Sequence, residues 1–195
     1  MQTIKLPSRD RILSDAELAA VYKTAEKIGY PFGHIVQLCI LTGQRRSEIA
    51  WLRRSYISDG RCTLPSSLTK NKRAHTFPIG KMAQTVIDQI PNECDLLFPA
   101  RQGNEVFAGW SKQKIAFDKA CTIEPWTLHD LRHSFAHQWQ RMGIKIEHTE
   151  AALNHISGTR GGIIGVYQTY NYAAELKDCY SQWEKRLQTI LNSAT

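Results

Sequence analysis

The sequence has no CxxC pair, and its five cysteines, Cys39, Cys62, Cys94, Cys121 and Cys179, are an odd number. That argues against a disulfide framework and against a cysteine zinc site, so reduced and mostly buried thiols are expected. Nothing approaches the roughly 18 consecutive apolar residues of a membrane span, and the opening MQTIKLPSRDRILSD has no apolar run of signal-peptide length. A cytoplasmic protein with no membrane partner is therefore expected. The pattern G-x-x-x-x-G-K-[ST] is absent, which removes the usual nucleotide-binding loop. No internal repeat, low-complexity stretch or linker divides the chain, so one cooperative unit is the economical expectation.

At 195 residues the chain is long enough for one substantial core. Its hydrophobic and charged fractions, 42% and 22%, are those of a globular protein and give no case for disorder. The net charge of +7 favours a polyanionic partner, because each Lys or Arg facing a phosphate releases a condensed counterion.

The pattern predicts a mainly helical (α+β) domain with one small antiparallel sheet. Ser14-Asp15-Ala16-Glu17 reads as a capping box ahead of a helix ending near Gly29. Pro31 suits the first turn of a second, largely buried helix carrying Ile35 to Leu41, stopped at Thr42-Gly43. A short helix over Ser47–Leu52 follows. Asp59-Gly60 is a turn signal, with Arg61–Leu64 and His75–Pro78 as short strands. Helical patterning returns at Lys81 and again over about Ser111–Ala120, Leu128–Met142, Thr149–Leu153 and Ala173–Leu191.

Four segments carry candidate chemistry. In Thr42-Gly43-Gln44-Arg45-Arg46-Ser47-Glu48 an apolar helix stops at Gly, and two arginines and a carboxylate follow within a turn. A forked guanidinium beside a loop suits phosphate, though alone this is equally a surface Arg–Glu pair. Thr69-Lys70-Asn71-Lys72-Arg73 is a basic cluster between the strands, which by itself is a solvated turn or a nonspecific DNA contact. In Trp126-Thr127-Leu128-His129-Asp130-Leu131-Arg132-His133, His129 and Arg132 share a helix face and can converge on one anion, while Leu128 and Leu131 face the core. His129, His133 and His137 fall at i, i+4 spacing, which invites a zinc reading, but no Glu stands beside the first His as in H-E-x-x-H. Leu153-Asn154-His155 precedes a segment with four glycines between Gly158 and Gly165, a pliable connection able to swing a nearby side chain.

In this order the segments resemble the catalytic domain of tyrosine recombinases, most closely the integrases of temperate phages and genomic islands. The likeness runs from about Leu13 to Leu187. Gly43-x-Arg45-x-x-Glu48 is similar to the first arginine box, Thr69-Lys70 to the lysine hairpin, and His129-x-x-Arg132 to the central box. Leu153-Asn154-His155 resembles Leu-Gly-His with Asn in place of Gly. Among Tyr167, Tyr170 and Tyr172, Tyr167 best fits the nucleophile: it follows Val166 and precedes Tyr172, Glu175 and Trp183 at the family spacing. Arg46 beside Arg45 blurs which guanidinium faces inward, and Lys72 or Arg73 stands close enough to replace Lys70.

The resemblance implies a site-specific DNA recombinase that cuts and rejoins strands through a 3′-phosphotyrosyl link and needs neither metal, ATP nor another cofactor. Arg45 and Arg132 would hold the phosphate oxygens, His129 would accept the Tyr167 proton, and His155 would hydrogen-bond the phosphate. Lys70 would protonate the departing 5′-hydroxyl, and Glu48 would orient the arginine and histidine side chains. The implied layout is one catalytic domain with a flexible lead-in over 1–12, a core over 13–187 and a tail over 188–195, excised from a longer integrase. The implied partner is double-stranded DNA bearing attachment sites, with a homo-tetramer on DNA in the full-length protein, a monomer for the isolated domain, and an accessory DNA-bending protein. A type IB topoisomerase and a noncatalytic DNA-binding module are the competing readings.

Overall fold

The computed structural model describes residues 11–100, 105–155 and 172–193. Helix α1, Asp15–Ile28, opens on the capping box anticipated from Ser14 and Glu17, each side chain taking the other's backbone N–H. Helix α2, Phe32–Thr42, follows with Pro31 at its N-cap rather than inside its first turn, and every one of its residues is buried. A helix buried on every side belongs at the centre of the molecule, and α2 packs against α1 and four later helices.

Gly43 ends α2 at φ 69°, and a Cβ there would lie 2.6 Å from the Phe135 ring. Glycine is thus required twice, for the left-handed cap and for the close approach. Helix α3, Arg46–Ala50, starts one residue earlier and ends two residues sooner than the sequence pattern suggests, and a 3-10 turn at Arg54–Tyr56 leads into the sheet.

The sheet is antiparallel in the order β1 (Ile57–Ser58), β2 (Arg61–Leu64) and β3 (His75–Pro78). Asp59 and Gly60, at φ 50° and 69°, make the two-residue turn between β1 and β2. The boundaries of β2 and β3 are those expected from the sequence; β1 is additional, two residues recruited by that turn. The register Cys62↔Phe77 and Leu64↔His75 turns these four side chains inward, and Thr63 and Thr76 pair outward through their hydroxyls at 3.0 Å.

Five helices complete the described residues: α4 (Lys81–Asp88), α5 (Trp110–Ala120), α6 (Leu128–Arg141), α7 (Ile146–Ala152) and a last helix, α8, over Ala173–Ser193. Helix α7 begins a turn before the expected Thr149, because Lys145 opens it without a side-chain cap to mark the start. Helix α8 runs through 188–193 with Ile190 buried, so these residues are helix packed on the core rather than a separate tail. Phe135, Trp139, Tyr180 and Trp183 form an aromatic cluster joining α6 to α8, with ring centroids 4.6 to 5.8 Å apart.

Four of the cysteines are buried and Cys94 is exposed. No described helix is long and apolar enough to cross a membrane.

Candidate active site

The two neighbouring arginines diverge. Arg45 points inward, and its guanidinium donates to Glu48 Oε1 at 2.8 Å while its backbone N–H donates to Glu48 Oε2 at 3.0 Å. The Glu48 side chain is only 1% exposed and the Arg45 side chain 21%, so a buried carboxylate fixes a guanidinium whose outer edge still meets solvent. Arg46 is exposed and lies over the Trp110 ring, 5.2 Å from its centroid.

Arg132 joins two of the sequence-predicted segments. From the inner face of α6 its guanidinium donates to Gly43 O at 3.0 Å and to Leu153 O at 2.5 Å. These carbonyls lie two residues from Arg45 and from His155. Burial, then repulsion from Arg45, pulls the Arg132 guanidinium down to about 10 against the opposing pull of Glu48, which leaves it charged at neutral pH. The two forked bonds use part of its donor set and leave the rest for an anion.

His129, one turn before Arg132, is exposed at the start of α6. Partial burial, His133, Arg132 and Arg45 hold its imidazole below the ordinary value, with Asp130 opposing. A neutral imidazole, able to accept a proton, is the result at pH 7. His133 meets it edge-on at 4.6 Å. The Asp130 carboxylate is a capping group, accepting the Thr127 backbone N–H at 2.7 Å. Among the described residues Glu48 hydrogen-bonds Arg45 and no histidine, and no cluster of three metal-ligating side chains occurs.

The lysine loop reaches the same place through a clasp. Asn71 Nδ2 donates to Asn154 O at 3.1 Å and to Asn154 Oδ1 at 2.7 Å, and Asn154 Nδ2 returns a bond to Asn71 Oδ1 at 3.1 Å. Thr69 closes the loop by donating to Arg73 O at 2.7 Å. Lys70 and His155, each next to a clasp residue, are exposed, as are Lys72 and Arg73. Asn154 has φ 47°, in the left-handed region where Gly costs least and Asn is the best-tolerated substitute. Asn in place of Gly is therefore compatible with the left-handed turn at this position.

Three buried groups beneath this surface escaped the sequence reading. Gln44 Nε2 donates to Thr42 O at 3.1 Å and Ala152 O at 2.8 Å, and Tyr180 O–H donates to Thr42 O at 2.8 Å. His75 Nε2 meets the same Ala152 carbonyl at 3.1 Å, and burial pushes this imidazole down to about 4. The alternation in His75-Thr76-Phe77 places His75 on the inner face with Phe77, a signal sufficient to mark it as buried. Nothing local marks Gln44 or Tyr180.

Tyr167, Tyr170 and the glycine segment Gly158–Gly165 lie outside the described residues, as does most of the lead-in. Tyr172 packs on His148 at 5.1 Å, consistent with a packing role. Trp183 is fully buried and donates to Ile40 O at 3.1 Å, so the tryptophan of the tyrosine pattern is the anchor of α8.

No curated protein is a significant match. Among solved structures the fold is similar to that of lambda integrase residues 75–356, crystallised as a dimer on a COC' core site, with 21% identity and a TM-score of 0.64 over 83% of this chain and 63% of that one. XerA recombinase gives 20% identity and a TM-score of 0.63 over 93% of this chain and 65% of that one. XerH recombinase, in a pre-cleavage complex with difH substrate, gives 20% and 0.60 over 80% and 50%. The chain thus spans less than two thirds of the length of these structures. The phage integrase family matches residues 11–168, a stretch that takes in all of the segments from Gly43 to Tyr167. With that match over most of its length, and a helical fold with the same small sheet, the chain belongs to the phage integrase family.

Proposed function

We propose that this chain is the catalytic domain of a site-specific tyrosine recombinase, excised from a longer integrase, that cuts and rejoins double-stranded DNA at attachment sites during integration or excision of mobile DNA. The observation that carries the reading is the Arg132 fork, which ties the Arg45 segment to the His155 segment and leaves guanidinium donors for an anion. A phosphodiester resists attack because its own charge repels the nucleophile, so charge on its oxygens must be stabilised as attack proceeds.

In this reading Arg45 and Arg132 hold the nonbridging oxygens of the scissile phosphate and His155 donates a hydrogen bond to it. Glu48 fixes Arg45. The Tyr167 phenol gives its proton to the neutral His129 imidazole and attacks phosphorus, and the P–O5′ bond breaks as Lys70 gives a proton to the departing 5′-oxygen. A 5′-hydroxyl from a partner strand reverses these steps, taking back the phosphoryl group and releasing Tyr167. Phosphodiester energy is conserved in the phosphotyrosyl bond, so the step draws on neither ATP nor a metal.

The domain works in the cytoplasm as a monomer when isolated and as a tetramer on DNA within the full-length protein, helped by an accessory DNA-bending protein. The lambda integrase structures on DNA, including a tetramer on a Holliday junction, support the DNA and assembly parts of this reading by analogy. The test is incubation with a nicked duplex carrying the attachment site, with EDTA present. A denaturant-resistant protein–DNA adduct is expected; an adduct that forms only after a divalent ion is restored contradicts the mechanism. Supercoil relaxation without strand exchange would favour a topoisomerase.

A further inference from the structure

Arg46 is held differently from the described arginines that are tied to polar partners; Arg61 and Arg73 are simply exposed, on the sheet and the lysine loop. Arg45, Arg53, Arg141 and Arg186 give their guanidinium groups to carboxylates, and Arg54 and Arg132 give theirs to backbone carbonyls. Arg46 is exposed and rests on the Trp110 indole, with no carboxylate partner among the described residues. A guanidinium lying on a ring keeps its edge N–H groups free, and those groups fork onto phosphate oxygens. The stacking also restrains a long side chain, which lowers the entropy lost when it meets an anion.

The ring is itself held in place. Trp110 meets Phe107 at 4.9 Å and Phe32 at 6.4 Å, both edge-on. One turn along α5, Lys114 lies over Trp126 at 4.2 Å, and Trp126 directly precedes Thr127, the cap of the helix that bears His129 and Arg132. Helix α5 buries only Phe117, so it runs along the surface from the Arg46 side to the start of α6. Its basic residues Lys112 and Lys119 are exposed along the same helix, while Lys114 is half-buried and paired with Asp118.

Resting on the DNA strand-transfer reading, we infer that Arg46 binds a DNA backbone phosphate neighbouring the one held by Arg45 and Arg132, with Trp110 as its positioning residue. Arg45 and Arg46 leave adjoining backbone positions in different directions, so one serves the reacting phosphate and the other the strand beside it. The contact is with phosphate and is independent of base sequence.

The experiment measures binding of the 195-residue chain to a fluorescent 30-bp duplex of mixed sequence across a NaCl series, for wild type, Arg46→Ala, Arg46→Lys, Trp110→Leu and Trp110→Phe. One lost phosphate contact makes the slope of log K against log[NaCl] shallower by about 0.9, and Arg46→Ala should show that change. Arg46→Lys should keep the slope. Trp110→Leu should weaken binding roughly 2- to 5-fold at low salt, and Trp110→Phe should restore most of it, because a ring remains under the cation. Equal slopes for wild type and Arg46→Ala, in a protein that binds DNA, overturn this inference and leave the proposed function standing. A wild type with no salt-dependent DNA binding overturns both.

Discussion

The Asn71 side chain holds Asn154 by bonds to both its backbone and side-chain oxygens, at 3.1 and 2.7 Å, and so fastens the lysine loop to the turn that ends in His155. Residues 83 apart in sequence are brought together by side-chain amides, and the two candidate phosphate-facing groups beside them inherit that placement. Asn71→Ala should therefore slow adduct formation about 10- to 100-fold at saturating DNA while leaving affinity nearly unchanged, since a small misplacement of a proton donor acts on the chemical step. Single-turnover rates with nicked DNA check this; an equal loss in affinity would mean the clasp serves binding instead.

Asn154 sits at φ 47°, where a Cβ-bearing residue without a local amide is strained. Asn154→Gly should unfold at nearly the wild-type denaturant concentration, relaxed backbone offsetting the lost clasp. Asn154→Ala should lose about 1–2 kcal/mol more than the Gly variant. Urea melts of the three proteins decide it, and equal losses for Ala and Gly would remove the backbone argument.

His75 is buried and neutral, with its pKa pushed down to about 4. The unfolded chain takes up a proton near 6.5 and the folded chain does not, so between these values stability rises with pH. The contribution is fully present above about 6.5, declines as pH falls, and has gone by about 4. Its full span is on the order of 3 kcal/mol. His75→Gln should flatten that part of the stability curve relative to wild type, as measured by denaturation at a series of pH values. An acid limb of unchanged steepness would show that other groups set it.

His129 is held below its ordinary value by partial burial and by His133, Arg132 and Arg45. If it accepts the nucleophile's proton, the rate of adduct formation stays level as pH falls to about 6.5 and drops only below that. A single-turnover pH profile with its acid midpoint above 6.5 would count against this assignment.

Periodic and local signals carried most of the fold. Ser14 and Glu17 announced α1, the Asp59-Gly60 turn signal announced the sheet that holds β2 and β3, and the largely apolar run from Ile35 to Leu41 announced a buried α2. The start of α7 was hidden because Lys145 supplies no side-chain cap. Within the site, residue types at fixed spacing marked Arg45, Glu48, His129, Arg132 and His155, since one helix turn or one loop holds each set. The Asn71–Asn154 clasp, the Gln44 and His75 bonds to Ala152, and the Tyr180 bond to Thr42 join residues 77 to 138 apart. Such pairs exist only once the chain is folded. The diverging directions taken by Arg45 and Arg46 are of the same kind, set by Glu48 on one side and Trp110 on the other.

The proposed function stands or falls on covalent catalysis through Tyr167. The most direct measurement is the denaturant-resistant adduct on nicked attachment-site DNA for wild type, Tyr167→Phe and Tyr170→Phe, with the attached residue mapped by peptide mass. An adduct is expected in wild type and Tyr170→Phe, carried on Tyr167, and none in Tyr167→Phe. An adduct that persists in Tyr167→Phe and vanishes in Tyr170→Phe would contradict catalysis through Tyr167.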